Sequence, residues 1–220
     1  MPKGRTMLST TTRSRSTALA ALAAGAFASA ALAAPAAART VLFSGHVDAV
    51  AARIDGGRLI STLKDSTGGR TVWRDPSTVT IRVVSKARTT VPAGLGVVGR
   101  KGSPVWLIPQ VQRSGVIWAG WNTEAVGSAQ VRGAIRWTVS RVSGPGKLVV
   151  FQSGSFGEAD VLFNSGARLP QGISIPLGTH AHGNWAFTKP GTYTVAYRLS
   201  ARSVSGTPLG DSSTLTFSVG

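Results

Sequence analysis

The stretch Thr192-Tyr-Thr-Val-Ala-Tyr-Arg-Leu-Ser200 decides the fold class of this chain. Its large apolar and aromatic residues occupy every second position: Tyr193, Val195, Tyr197 and Leu199. Successive side chains of a β-strand point to opposite faces, so this alternation predicts a strand with one buried face. The same alternation occurs at 134–142 and 214–219, and in shorter form at 46–54, 58–64, 78–84, 105–108, 147–153 and 160–164.

The residues between these segments are typical of tight turns. Asp55-Gly56-Gly57 has the composition of a hairpin loop, Gly144-Pro145-Gly146 separates two further strands, and Lys189-Pro190-Gly191 suits a type II turn. We therefore predict an all-β protein, an antiparallel β-sandwich without any helix longer than two turns. Segment 126–220 is expected to be an immunoglobulin-like sandwich lobe. The more irregular segment 39–125 is expected to be an N-terminal β lobe or to add extra strands.

Residues 1–38 have the three-part layout of a secretory signal peptide. An apolar run from Thr17 to Ala34 follows a basic region without acidic residues, and Ala36-Ala37-Ala38 supplies the small residues of a cleavage site. We expect cleavage after Ala38 and an exported protein without a transmembrane segment. The alternative is an uncleaved membrane anchor, because the apolar run approaches the length that spans a bilayer.

Composition narrows the possible chemistry. The 220 residues include no cysteine, which excludes thiol catalysis, cysteine-ligated zinc and iron–sulfur clusters. The net charge of +16 suits adhesion to anionic surfaces. The basic residues of the predicted strands occur singly and not in runs, which predicts a solvated face and no specific nucleic-acid binding; they include Arg82, Arg132, Arg136, Arg141 and Arg198.

All three histidines lie in two short motifs. His180 and His182 flank one alanine, and His46 precedes Asp48 in Gly45-His-Val-Asp. Residues two apart on a strand share a face, so each pair presents both of its side chains together. If neighbouring strands carry the two pairs, three imidazoles and one carboxylate form a divalent-metal site for zinc or another late first-row ion. The alternative is that the histidines form hydrogen bonds with backbone carbonyls.

Other candidate contacts lie between the two motifs. Trp118 and Trp121 flank Gly120 in a loop-like stretch, where exposed rings could stack on a sugar or lipid and buried rings would pack in the core. Glu124 is either a further ligand or a surface acid. Nothing resembles Gly-x-Ser-x-Gly or His-Glu-x-x-His, so we expect no enzymatic activity.

Five segments carry a resemblance to a known family. They are His180-Ala-His-Gly-Asn-Trp-Ala-Phe-Thr-Lys-Pro-Gly-Thr-Tyr-Thr-Val195, Gly45-His-Val-Asp-Ala49, Ser103-Pro-Val-Trp-Leu-Ile-Pro-Gln110, Val116-Ile-Trp-Ala-Gly-Trp-Asn-Thr-Glu124 and Gly144-Pro-Gly-Lys-Leu-Val-Val-Phe151. In this order they resemble the repeat of actinobacterial surface-anchored proteins, the choice-of-anchor M domain. The resemblance covers 41–219 and implies a secreted or wall-attached β protein associated with an ABC transporter system of the zinc and manganese type.

The resemblance does not extend to the family's C-terminal anchors. The sequence ends at Phe217-Ser-Val-Gly220 without a sorting motif or hydrophobic tail, so we expect a secreted protein that is at most loosely associated with the cell envelope. The expected function is that of a non-enzymatic accessory that binds a divalent metal, zinc or manganese. Its expected partners are the substrate-binding protein of an ABC importer or the cell envelope. The alternative is a structural or adhesive surface module without metal.

Overall fold

Strands account for most of the chain in the computed structural model, which describes residues 39–154 and 158–220. The predicted signal peptide, 1–38, lies outside the described residues. The strands are β1 Thr40–Leu42, β2 Gly45–Asp55, β3 Arg58–Asp65, β4 Val72–Arg74, β5 Val79–Val83, β6 Arg88–Thr90, β7 Pro104–Ile108, β8 Ile117–Asn122, β9 Val131–Ser143, β10 Leu148–Ser153, β11 Ala159–Asn164, β12 Gln171–Pro176, β13 His180–His182, β14 Asn184–Phe187, β15 Gly191–Ser203 and β16 Pro208–Val219.

Helix is confined to two single turns of 3-10 type in the described segments, Pro76–Thr78 and Ser85–Ala87. The predicted all-β class is therefore confirmed. Neither described segment contains a helix with the length and apolar character required to cross a bilayer.

The strands form three sheets. A six-stranded sheet has the order β1-β5-β16-β15-β9-β12, a five-stranded sheet has the order β11-β10-β14-β7-β6, and a second five-stranded sheet has the order β13-β8-β2-β3-β4. Most neighbouring strands are antiparallel, but β1–β5, β5–β16 and β2–β8 are parallel pairs. Strands from 39–125 and from 126–220 occur together in every sheet. The predicted boundary at residue 125 thus coincides with no division between sheets, and the first half contributes strands to the sheets of the second.

The three predicted turns are of two kinds, a hairpin loop within one sheet and two connections between sheets. Asp55 pairs with Arg58, so Gly56 and Gly57 form a two-residue hairpin loop, and their φ angles of +53° and +75° are the positive values that a type I′ turn requires. The turns at 144–146 and 189–191 instead carry the chain between the six-stranded sheet and the sheet that contains β10 and β14. Such crossing turns place large side chains of both sheets against one another.

The centre of the core is Trp137, which is fully buried on β9. Its ring lies 4.5 Å from that of Phe163 and 6.0 Å from that of Trp185, both from the sheet of β10. It also lies 5.9 Å from the ring of Trp121 on β8. One indole thus contacts aromatic rings from both of the other sheets, at separations typical of favourable aromatic pairs.

We expect Trp137→Ala to lower the free energy of unfolding by about 3–5 kcal/mol, because the cavity would open where the three sheets meet. Chemical denaturation of the purified protein measures this value. Trp73→Ala is the control, since Trp73 lies on β4, is partly exposed, and packs beneath the Arg53 guanidinium at 4.8 Å. Equal losses in the two variants would contradict the central position of Trp137.

Candidate metal centre

The pair His180 and His182 lies on β13, at the edge of its sheet. β13 pairs antiparallel with β8, so that His182 lies opposite Gly120 and His180 lies opposite Asn122. Both imidazoles point to one side of the strand, and their Nε2 atoms are 3.2 Å apart. The shared face predicted from the spacing of the two histidines is therefore present.

The second pair, His46 and Asp48, lies on β2, on the other side of β8. β2 runs parallel to β8, with His46 opposite Trp118 and Asp48 opposite Gly120. The two histidine-bearing strands are therefore not direct neighbours, the arrangement that convergence of the two pairs was expected to require, because β8 lies between them. The side chains nevertheless meet above β8.

Gly120 makes this meeting possible. It occupies the position on β8 between Asp48 and His182, where any side chain would project into the cluster. A Cβ atom at this position would lie 2.5 Å from the Ala181 carbonyl oxygen and 2.8 Å from the His182 ring, closer than atoms can approach. Glycine within a strand often marks such a close approach. Gly120 is thus the residue whose type, in the sequence, indicates this contact.

Four of the six distances between the candidate ligand atoms lie between 3.0 Å and 3.4 Å. The His180 Nε2 atom lies 3.0 Å from the His46 Nε2 atom, and the Asp48 Oδ1 atom lies 3.1 Å and 3.4 Å from the Nε2 atoms of His180 and His46. One ligand atom from each of the four residues lies within 4.8 Å of all the others. Bonds of 2.0–2.1 Å to a central zinc ion give tetrahedral edges of about 3.3 Å. His46, Asp48, His180 and His182 form a group that could hold a metal ion.

The two carboxylate oxygens of Asp48 have different environments. The side chain is fully buried, and Oδ2 accepts a hydrogen bond of 3.1 Å from Asn122 Nδ2 and lies 3.7 Å from Lys64 Nζ. Oδ1 lies 3.1 Å and 3.4 Å from the Nε2 atoms of His180 and His46, within reach of an imidazole N–H or of a shared cation. A buried carboxylate oxygen needs such a partner. A cation bound at Oδ1 would bridge it to both imidazoles.

Three side chains surround the cluster and hold Asp48 in place. Asn122 and Lys64 contact Asp48 directly, and Glu124 accepts hydrogen bonds from both of them. Asn122 Nδ2 also donates to Glu124 Oε2 at 2.6 Å, and Lys64 Nζ donates to the same oxygen at 3.3 Å. The same Glu124 oxygen lies 3.8 Å from His180 Nδ1, on the side of that ring away from the other histidines. Glu124 is thus placed to orient a ligand rather than to be one, an arrangement common around metal-binding histidines.

The two tryptophans differ, although both lie on β8 and neither lies in the predicted loop. Residues three apart on a strand point to opposite faces. Trp121 is buried in the core, as expected if the rings pack there, so it offers no surface contact. Trp118 is partly exposed, and its ring stacks on that of His182 with a centroid separation of 3.7 Å and an interplanar angle of 12°. Its indole N–H donates to the Gln110 carbonyl at 2.8 Å, which fixes the ring against His182.

Electrostatics keep two of the imidazoles neutral. The pKa of His182 is lowered to about 4, mainly by burial and in smaller part by the neighbouring His46. Burial also lowers the pKa of His46, although the Asp48 carboxylate opposes this effect. A neutral imidazole retains the lone pair that binds a metal, so both residues are in the ligating form at neutral pH.

Comparison of the chain with protein-family models, curated proteins and solved structures finds no match. The resemblance to the surface-anchored repeat therefore stays a prediction.

We expect the metal-free protein to lose stability as the pH falls from about 6.5 to about 4. In this window histidine in the unfolded chain takes up a proton that folded His182 does not, so protonation favours unfolding. Urea denaturation in the presence of a chelator, at a series of pH values, measures the slope. The His182→Gln variant should show a smaller slope, and an identical slope would contradict the assignment.

Proposed function

We propose that this chain is an exported, non-enzymatic protein that binds a divalent metal through His46 Nε2, His180 Nε2, His182 Nε2 and Asp48 Oδ1. The observation that carries the proposal is the buried Asp48 Oδ1 atom, which lies 3.1 Å and 3.4 Å from the Nε2 atoms of His180 and His46. Four of the six distances among these atoms, 3.0–3.4 Å, are close to the edges of about 3.3 Å around a tetrahedral zinc ion, which supports the same conclusion.

The ligand set favours zinc over manganese. Three imidazole nitrogens and one carboxylate oxygen suit zinc, whereas manganese is bound more readily by sites rich in carboxylate, carbonyl and water oxygens. The charges also suit a divalent ion. Asp48 and Glu124 carry two negative charges and Lys64 one positive charge, so the local environment is not strongly cationic before the ion binds.

The geometry favours binding over catalysis. Catalytic zinc is held by three protein ligands and keeps a fourth position for water or substrate, whereas four protein ligands close the coordination sphere. The position of the cluster favours exchange of the ion. The His180 side chain is 35% exposed and lies on an edge strand, so an ion can reach its ligands without opening the core.

A closed but accessible site suits an accessory that holds zinc outside the cell and passes it to the substrate-binding protein of an ABC importer. The sequence resemblance to proteins associated with such importers supports this role. The signal-peptide pattern of residues 1–38 supports export.

One observation favours the alternative, a structural or adhesive module without metal. The Nε2 atom of His180 lies within hydrogen-bond distance of the Nε2 atoms of His46 and His182, so a metal-free cluster can link β2 and β13 by itself. In that case the histidines would serve only to hold the two strands across β8.

We expect calorimetry at neutral pH to show one zinc ion bound per chain, more tightly than manganese. Asp48→Asn and His182→Ala should each weaken zinc binding at least about 100-fold, since even loss of supporting residues costs 10–100-fold. Asp160→Asn is the matched control, because Asp160 is an exposed acid on β11. Absence of zinc binding by the wild-type protein, or unchanged binding by His182→Ala, would return the chain to the structural class.

The delivery role has a separate test. Zinc-loaded protein is mixed with a chromophoric chelator, whose absorbance reports the transfer of zinc. Hydrogen exchange measures the protection of the backbone amides in the sheets over the same period. We expect zinc to transfer while the amides of β9 and β15 stay protected, because the ligands lie at a sheet edge. Transfer that requires loss of this protection would indicate a structural ion.

Asn122 is expected to act as a positioning residue, because one amide group holds both Asp48 and Glu124. Asn122→Ala should weaken zinc binding about 10–100-fold. Denaturation in the presence of a chelator separates this effect from a loss of folding. If zinc affinity stays unchanged while stability falls, Asn122 has only a structural role.

A further inference from the structure

The outer face of the six-stranded sheet collects arginines that are far apart in the sequence. The inward residues of its strands are buried, so the alternate residues form the opposite face. Register confirms the grouping: Arg198 lies opposite Thr138 and Ser212, and Arg82 lies opposite Ser218. We call this surface the arginine face; its basic residues are Arg82, Arg132, Arg136, Arg141, Arg198 and Arg202, and all six are exposed.

Negative charge is missing from the arginine face. The only acid in the strands of this sheet is Asp211, which belongs to the opposite side and accepts a hydrogen bond from the Ser61 amide of β3. No arginine of the face forms an ion pair with a described residue. Arg132 and Arg202 lie directly opposite one another on β9 and β15, and their guanidinium groups donate to the backbone carbonyls of Val204 and Gly206, not to a described carboxylate.

The guanidinium groups are spread over the sheet surface by small residues. The Arg198 side chain lies over Gly210, and the Arg136 side chain lies over Gly172, where a Cβ atom would be 2.1 Å and 3.0 Å from the nearest guanidinium nitrogen. Arg198 also donates to the Ser212 hydroxyl at 3.4 Å. Glycines at these two positions let the cationic groups lie flat, with their outer N–H groups directed to solvent.

We propose that the arginine face binds an extended polyanion whose charges are phosphate groups, such as a phosphate-bearing polymer of the cell envelope. Guanidinium groups bind phosphate through paired hydrogen bonds, and serine and threonine hydroxyls add further donors. Arg136 and Arg198 are diagonal neighbours on β9 and β15, with Cβ atoms about 7–8 Å apart. Their guanidinium groups lie over Gly172 on β12 and Gly210 on β16, to either side of this strand pair, so each can hold a separate phosphate of one chain. The proposal is independent of the metal site, which lies on another sheet.

Two other anionic partners fit less well. Binding of single-stranded nucleic acid relies on aromatic rings that stack on bases, and no aromatic residue points outward from the described strands of this sheet. Binding at a lipid surface relies on apolar side chains that enter the bilayer, and the arginine face carries mainly serine, threonine and glycine between its arginines. A hydrophilic, flexible polymer needs neither feature.

The test is binding of the purified full chain to inorganic polyphosphate over a range of salt concentrations. The variant Arg136→Gln/Arg198→Gln removes two exposed charges from the face, and Arg70→Gln/Arg100→Gln removes two exposed charges from loops elsewhere. Arms with single-stranded DNA, polyglutamate and anionic lipid vesicles distinguish the class of partner. His182→Ala serves as a control that alters the metal cluster alone.

We expect the wild-type protein to bind polyphosphate with an affinity that falls steeply with salt. The face variant should lose about tenfold in affinity and lower the slope of the salt dependence by about two, while the loop variant and His182→Ala change neither. Equal losses in the face and loop variants would show attraction by net charge alone and would overturn the proposal. Tighter binding of DNA, polyglutamate or vesicles than of polyphosphate would also overturn it.

Discussion

Trp137 joins the three sheets at the centre of the core. Its indole contacts rings from both of the other sheets, and through Trp121 it fixes the inner side of β8. The outer side of the same strand then carries Trp118, Gly120 and Asn122 to the candidate metal centre. Core and site are thus two faces of one short strand, and a rigid core keeps the four candidate ligands in fixed positions.

Period-two reasoning accounts for much of what the sequence predicts correctly. It identifies the strands of the core, and it places His180 with His182 and His46 with Asp48, because these pairings depend only on local geometry. It does not give the order of strands in a sheet, which depends on long-range packing. The position of β8 between the histidine-bearing strands therefore does not follow from the sequence pattern. The same rule separates the rings of Trp118 and Trp121 only once their segment is known to be a strand.

Gly120 and the arginine face show a second limit of the sequence. A glycine between two tryptophans is typical of a loop when only the sequence is known. The neighbouring strands show that the absence of a side chain at Gly120 leaves room for the imidazoles. The arginines occur singly along the chain, but the register of the strands places their side chains on the same face of the sheet. In both cases the residue is informative only after the register is known, because its role is defined by residues on other strands.

The distance in sequence between His46 and His180 has a consequence for the unfolded chain. They are 134 residues apart, and the protein has no cysteine with which to close such a loop. An ion held by both motifs would act as a removable crosslink and would restrict the conformational entropy of most of the polypeptide. The protein would then be more stable with the ion bound than without it, and the two forms would differ in their resistance to proteolysis.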